Sequence, residues 1–301
     1  MMATTNPGYS KITAMNAADS ATIEADVRRA LAEDVGDGDR TALLVPASKR
    51  MRARVISREA GVLCGRPWFE RVFSALDPGV SIRWQVAEGD TLAPEQTLCT
   101  LNGPARALLT GERTALNFLQ TLSGTATTTA RYVEAVRDSG AVILDTRKTL
   151  PGLRLAQKYA VRCGGGQNHR MGLYDMVLIK ENHIAAAGSM AAAVRSARDR
   201  WPRIPVEAEV ETRDELAEAL SAGADIIMLD NFDLAGIREA VKLTGERAEA
   251  HPEQARPQLE VSGNVGLEGL AELAATGVDR IAVGALTKHV QAVDLSMRFE
   301  T

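Results

Sequence analysis

The stretch VEAEVETRDELAEALSAGADIIMLDN, residues 206–231, decides the fold. It opens on an apolar run with an acid at every second position, passes through a helix candidate and closes on a second apolar run, DIIMLD. Strand, helix and strand in that order make the two strands parallel, because an antiparallel pair needs only a tight turn. The alternation extends both ways. Upstream lie AVILD (141–145) and DMVLIK (175–180); downstream lie QLEVSG (258–263) and RIAVGA (280–285), each followed by a helix candidate. Six such strands are too few for a closed eight-fold barrel, so over residues 123–286 either strands are hidden or the α/β barrel is incomplete.

The strand ends point to function. Each run finishes, on its C-terminal side, in a chemically active residue type: Arg147 and Lys148; Lys180; Glu209 and Glu211; Asp230 and Asn231; Ser262, Gly263 and Asn264; Gly284. In barrel enzymes that rim carries catalysis, since its loops converge while the strands below stay rigid. One active site built from these loops is the economical reading.

Ahead of the barrel the pattern differs. Residues 1–20 are polar and patternless and read as a flexible arm, followed by an amphipathic helix in TIEADVRRALAEDVG with Thr22 as its cap and Gly36 as its stop. MRARVIS, GVLCG, SIRWQVAEGDTL and TLCTLNG read as strands around the helical WFERVFSALDPG, giving a small α+β domain over 21–122. Its EGDTLAPEQTLCTL turn is similar to biotinyl or lipoyl carrier hairpins, but no lysine lies between Gln85 and Leu101 to be modified. Two helices are expected over 105–122 and 125–138, and a C-terminal helix over 287–301 that packs on the first domain.

Bulk properties narrow the choices. The 301 residues are 45% hydrophobic, enough for a real core, and carry net charge -4 with only 4% aromatics, which argues against nucleic acid. Three cysteines without CxxC spacing suggest a reducing compartment, with the cytoplasm as the default. No signal peptide and no membrane span is evident; the alanine-rich AAAGSMAAAV reads as a buried helix.

Against that acidic background, residues 146–170 hold six arginines and lysines and no carboxylate. Arg147, His169 and Arg170 can meet at one rim, where fork-shaped guanidinium donors suit a substrate with more than one carboxylate. Arg154, Lys158 and Arg162, at i, i+4 and i+8, read as a solvated or paired helix face outside the site. Glu207, Glu209 and Glu211 share one strand face. Glu209 with Asp230 would face a shared cation, either Mg2+ or positive charge developing on a substrate, whereas Glu207 and Glu211 read as solvated or structural. The small residues of VSGN and AVGAL suit a phosphate, although each alone reads equally as a tight turn. His183, His251 and His289 lack metal-ligand spacing and read as structural or exposed.

GERTALNFLQTLSGTAT, DTRKTLPGLR, KYAVRCGGGQNHR, MVLIKENHI, VEAEVE, IMLDNF, LEVSGN and RIAVGALT, in this order, resemble the quinolinate phosphoribosyltransferase family, the decarboxylating enzymes of NAD biosynthesis, over nearly the whole chain beyond the arm. The resemblance implies an N-terminal α+β sandwich domain, an incomplete seven-stranded α/β barrel, and a homodimer with shared sites. It also implies transfer of phosphoribose from phosphoribosyl pyrophosphate to quinolinate, releasing pyrophosphate and CO2. By motif, Arg113 resembles the arginine entering the neighbouring subunit's site. Arg147, His169, Arg170 and Lys180 resemble the quinolinate cluster. Lys148, Glu209 and Asp230 resemble the groups at the ribose and Mg2+, and Ser262, Gly263, Asn264 and Gly284 the 5-phosphate cradle. The segment 244–258 is longer than the family pattern leads one to expect. Three rivals remain at this point: a phosphoribosyltransferase for another aromatic acid, a Schiff-base aldolase barrel using Lys148 or Lys180, and a non-catalytic anion-binding protein.

Overall fold

A computed structural model describes residues 17–300, in two compact units, 17–123 with 293–300 and 124–292. The arm expected over 1–20 falls largely outside the described residues.

The first unit holds α1 (Ala17–Val35), β1 (Arg50–Ser57), β2 (Gly61–Val62), α2 (Arg66–Leu76), β3 (Ser81–Trp84), β4 (Thr91–Leu92), β5 (Thr97–Pro104) and the start of α3 (Ala105–Ala135). Thr22 lies within α1 and does not cap it. The main sheet is antiparallel in the order β12-β1-β5-β3, where β12 (Leu295–Glu300) is the end of the chain. The C-terminal helix expected over 287–301 is therefore corrected to a strand, paired with β1 from Arg52↔Glu300 to Ser57↔Leu295. LSMRFE buries Leu295 and Met297 while Arg298 faces out, an alternation of period two that a helix cannot use. Trp68, Phe69 and Phe73 of α2 fill the core, and Trp68 Nε1 donates to the buried Asp26 of α1 at 3.1 Å.

α3 is one helix where two were expected. Gly124, between the two expected helices, lies inside α3 at a close approach: a Cβ there would stand 2.0 Å from Gln291 O.

The second unit continues with β6 (Val142–Leu144), α4 (Arg154–Cys163), β7 (Val177–Ile179), α5 (Glu181–Ala187), α6 (Met190–Arg200), β8 (Val206–Val210), α7 (Arg213–Ala222), β9 (Ile226–Asp230), α8 (Leu234–Ala250), β10 (Gln258–Ser262), α9 (Leu270–Ala274), β11 (Arg280–Ala282) and α10 (Ala285–Lys288). Its parallel sheet runs β6-β11-β10-β9-β8-β7, the six strands read from the sequence, open between β6 and β7. The seventh strand implied by the resemblance shrinks to a single bridge. Gln167 pairs with Leu144, its N–H donating to Ile143 O at 2.8 Å while Asp145 N–H donates to Gln167 O at 3.2 Å. Ile226 to Leu229 are all buried, as a parallel strand covered on both faces requires.

Two helical readings change. The alanine-rich run is two helices, because Gly188 turns left-handed after α5 and Ser189 restarts the chain by accepting from Ala192 N at 3.1 Å. α5 buries none of its residues, so it is not the buried helix expected. Of the long 244–258 segment, α8 takes up residues 244–250 and β10 begins at Gln258.

Candidate active site

The rim is built first by fixing its backbone. Gln157 on α4 accepts from Leu150 N at 2.7 Å and donates to Thr287 O at 2.9 Å; Thr287 Oγ1 in turn donates to Lys148 O at 2.8 Å. Arg154 reaches the same loop, its guanidinium donating to Thr149 Oγ1 at 3.2 Å, Arg147 O at 3.3 Å and Met171 O at 3.4 Å. Arg147 and Lys148 are thus presented by a loop held from several sides.

Of the solvated or paired readings of Arg154, Lys158 and Arg162, pairing holds at Lys158, on the side of α4 turned inward. Lys158 is 0% exposed and ion-paired with Asp145, also 0% exposed; it donates further to His169 O at 2.8 Å. Asn168 Nδ2 donates to the other oxygen of Asp145 at 2.5 Å, and His169 N–H donates to Asp145 at 3.0 Å. This hub ties GGGQNHR to the end of β6, which is why that segment supplies a bridge and not a regular strand. Burial pushes the Asp145 carboxyl up and the Lys158 ammonium down, and each partly restores the other's charge. Spacing cannot separate a stripe facing solvent from one facing the barrel; only Arg162 is exposed, its guanidinium 5.8 Å from the Tyr159 ring.

Glu207 and Glu209 on β8 and Glu211 just past it grade with depth: Glu207 is 0% exposed, the side chain of Glu209 14%, and Glu211 lies outside, its backbone N–H donating to Glu215 at 2.7 Å. Of the solvated and structural readings of Glu207, burial leaves the structural one, with His169 as its neighbour in place of a lysine. His169 Nε2 sits 2.9 Å from Glu207 Oε2 and 3.3 Å from Glu260 Oε1, and Arg280 Nε donates to Glu260 Oε2 at 2.9 Å. Burial works against charge on His169, but the contacts with Glu207 and Glu260 outweigh it and push the imidazole up to about 9. Glu260 and Arg280 occupy paired positions on neighbouring strands, a signal present in QLEVSG and RIAVGA that the sequence reading passed over.

Lys148, Arg147, Arg170, Lys180, Glu209 and Asp230 act on one another at the rim. Lys180 is ion-paired with Glu209. Burial, then the charge of Glu209, raises the Asp230 carboxyl, and Lys180 and Lys148 pull it back. Arg170 is lowered by burial and by Arg147 beside it, with Glu207, Asp175 and Glu209 acting in its favour. A Cβ on Gly263 would lie 3.3 Å from Asp230 Oδ1, and one on Gly284 would lie 3.1 Å from Lys148 Cδ, so the last two strand tips abut the acid and the lysine. Asn231 and Asn264, at φ 59 and 41, hold left-handed backbone at the tips of β9 and β10, a strained state that clusters at functional sites. Among the described residues, the buried Arg147 Nε has no hydrogen-bond partner, as expected of a donor awaiting an anion. Ser262 is half-buried, and Gly263 and Asn264 are exposed. Arg113 stands exposed on α3 in the first unit.

These features define an α/β-barrel enzyme whose C-terminal rim opposes guanidinium groups to a carboxylate pair, preceded by an antiparallel-sheet domain. The chain belongs to the quinolinate phosphoribosyltransferase family: the family's N-terminal domain matches residues 39–123 and its C-terminal domain residues 125–298. It is 42% identical over 266 residues to a probable nicotinate-nucleotide pyrophosphorylase (carboxylating) of Bacillus subtilis, covering 88% of this chain and 89% of that one. With the nicotinate-nucleotide pyrophosphorylase (carboxylating) of Mycobacterium leprae it shares 43% identity over 90% of this chain and 95% of that one. The solved nicotinate-nucleotide pyrophosphorylase of Francisella tularensis superposes with TM-score 0.89 at 43% identity, covering 97% of this chain and 100% of that one.

Proposed function

We propose that this chain transfers phosphoribose from phosphoribosyl pyrophosphate to quinolinate, releasing pyrophosphate and CO2, in the synthesis of NAD. The observation that carries this reading is the meeting of Arg147 and Arg170 with Glu209, Asp230, Lys148 and Lys180 on one rim, in a chain of this family.

Arg147 and Arg170 clamp the two carboxylates of the acid, with His169 beside them and Lys180 between acid and sugar. Ser262, Gly263, Asn264 and Gly284 cradle the 5-phosphate. As the bond from C1 to pyrophosphate oxygen breaks, Lys148 meets the departing negative charge, and Glu209 and Asp230 meet the positive charge growing on the ribose. The ring nitrogen of the acid then bonds to C1 and becomes positive. That positive nitrogen accepts the electron pair left when the adjacent carboxylate departs as CO2, and the carbon takes up a proton. Mg2+ fits Glu209 and Asp230, two hard oxygen donors close enough for one to raise the other, and when bound it supplies charge to neutralise pyrophosphate. The chain works as a homodimer in which Arg113 enters the neighbouring copy's site. The buried cysteines Cys64, Cys99 and Cys163 suit a cytoplasmic location, and among the described residues no helix is long and apolar enough to cross a membrane.

Carboxyl-labelled quinolinate tests the reaction. Labelled CO2 is expected only when phosphoribosyl pyrophosphate and Mg2+ are both present; its absence from the complete mixture would overturn the reading. For the dimer, mixing Arg113→Ala with Arg147→Ala subunits is expected to restore CO2 release that neither shows alone, and no restoration would remove Arg113 from the site.

A further inference from the structure

Below the rim the barrel holds charge that the reaction above does not use. Glu207 on β8 and Glu260 on β10 are both 0% exposed, and both face His169 Nε2, at 2.9 and 3.3 Å. Among the described residues, neither Glu207 oxygen nor Glu260 Oε1 has an aligned hydrogen-bond donor, and Arg280 answers only the other oxygen of Glu260. Two buried carboxylates against one guanidinium leave a negative charge uncompensated, which a protein interior resists. Burial pushes the Glu207 carboxyl up and its contact with His169 pulls it back; with that carboxylate ionised, a protonated His169 brings the four side chains to zero.

We propose that Glu207 and Glu260 are positioning residues for the diacid site: they hold His169 as an imidazolium beside Arg170, so that the Arg170 guanidinium stays available to substrate and is not drawn to Glu207. The proposal rests on the diacid site described under the proposed function. His169 and Arg170 are neighbours in the chain, and the charges of Glu207, Glu209 and Arg147 all act on Arg170. With a neutral His169, Glu207 would compete with a substrate carboxylate for that guanidinium. Protonation has one local cost: Arg170 N–H donates to His169 Nδ1 at 2.7 Å, and an imidazolium has no lone pair there. One neutral backbone hydrogen bond is outweighed by charge-assisted contacts to two buried carboxylates. The protonated ring then leaves Nδ1–H and Arg170 N–H as adjacent donors, which an entering carboxylate satisfies. The remaining charges near the ring, Asp145 accepting from His169 N–H and Lys158 donating to His169 O, form an ion pair with each other and cancel. Glu207 and Glu260 also push His169 up to about 9 against the effect of burial.

The test uses the full chain as wild type, Glu207→Gln, Glu207→Asp and Glu260→Gln. The His169 ring is titrated by NMR, with His169→Asn identifying its resonance, and affinities for quinolinate and phosphoribosyl pyrophosphate are measured by calorimetry at pH 8. Wild-type His169 is expected to titrate near 9. In Glu207→Gln the ring titrates at least a full unit lower and quinolinate binds roughly tenfold more weakly, the change falling on KM more than on kcat, while phosphoribosyl pyrophosphate affinity holds. Glu207→Asp, which keeps the charge, recovers part of the loss. Wild-type His169 titrating at its ordinary 6.5, or a Glu207→Gln variant binding quinolinate as wild type does, would overturn the proposal. Should the variants fail to fold, the wild-type ring titration decides alone. A wild type that binds no quinolinate would remove the diacid site itself, an outcome distinct from normal binding that the variant leaves untouched.

Discussion

Lys158 with Asp145 and Lys180 with Glu209 are both ammonium–carboxylate pairs of the barrel, yet their surroundings give them opposite roles. The first pair is 0% exposed at both side chains and is locked by further bonds from Asn168 and His169 to Asp145. The second is 46% and 14% exposed at the end of its strands. Desolvation makes the difference. A charge already removed from water is costly to unpair, so the deep pair pins the chain; a charge still in contact with water can exchange its partner for a substrate. The same contrast separates Glu207 on β8 from Glu211 just past it.

The contrast breaks most visibly at Lys158. Lys158→Met strands Asp145 in the interior and is expected to cost about 3–5 kcal/mol in urea unfolding; a loss of less than about 1 kcal/mol would put this pair with the surface pairs. Raising the pH probes the second buried cluster. His169 is held above its ordinary 6.5, up to about 9, so the stability its charge contributes is complete below 6.5 and is lost as pH rises through 9. That loss is about 3 kcal/mol at most, and unfolding free energies that stay flat over this window would contradict it. At the rim, Arg147→Ala is expected to weaken quinolinate about 100-fold, near 2.7 kcal/mol, with phosphoribosyl pyrophosphate affinity unchanged by calorimetry. Glu211→Gln, outside both clusters, should move stability by less than about 0.5 kcal/mol.

Depth also explains what the sequence revealed and what it concealed. The six parallel strands followed from apolar runs alternating with helix candidates, and chain position along a parallel strand translates into height in the barrel. Facing direction does not translate so directly. Arg154, Lys158 and Arg162 have a spacing compatible with either face of α4, and only the packing of α4 turns Lys158 inward. Asp145 closes an apolar run just as Asp230 does, yet one is buried and the other lies at the rim. Gly124 carries the mark of a helix end, and what it serves is a contact with Gln291, a residue remote in the chain. The final strand was misread because its alternation is short and its partner, β1, lies more than 200 residues away.

The most direct test is a crystal structure of the chain with quinolinate and a non-reacting phosphoribosyl pyrophosphate analogue. The expected result has the quinolinate carboxylates on Arg147 and Arg170 and its ring nitrogen facing a ribose C1 that stands over Glu209 and Asp230. Quinolinate seated away from Arg147 and Arg170, or a ribose remote from both acids, would contradict it.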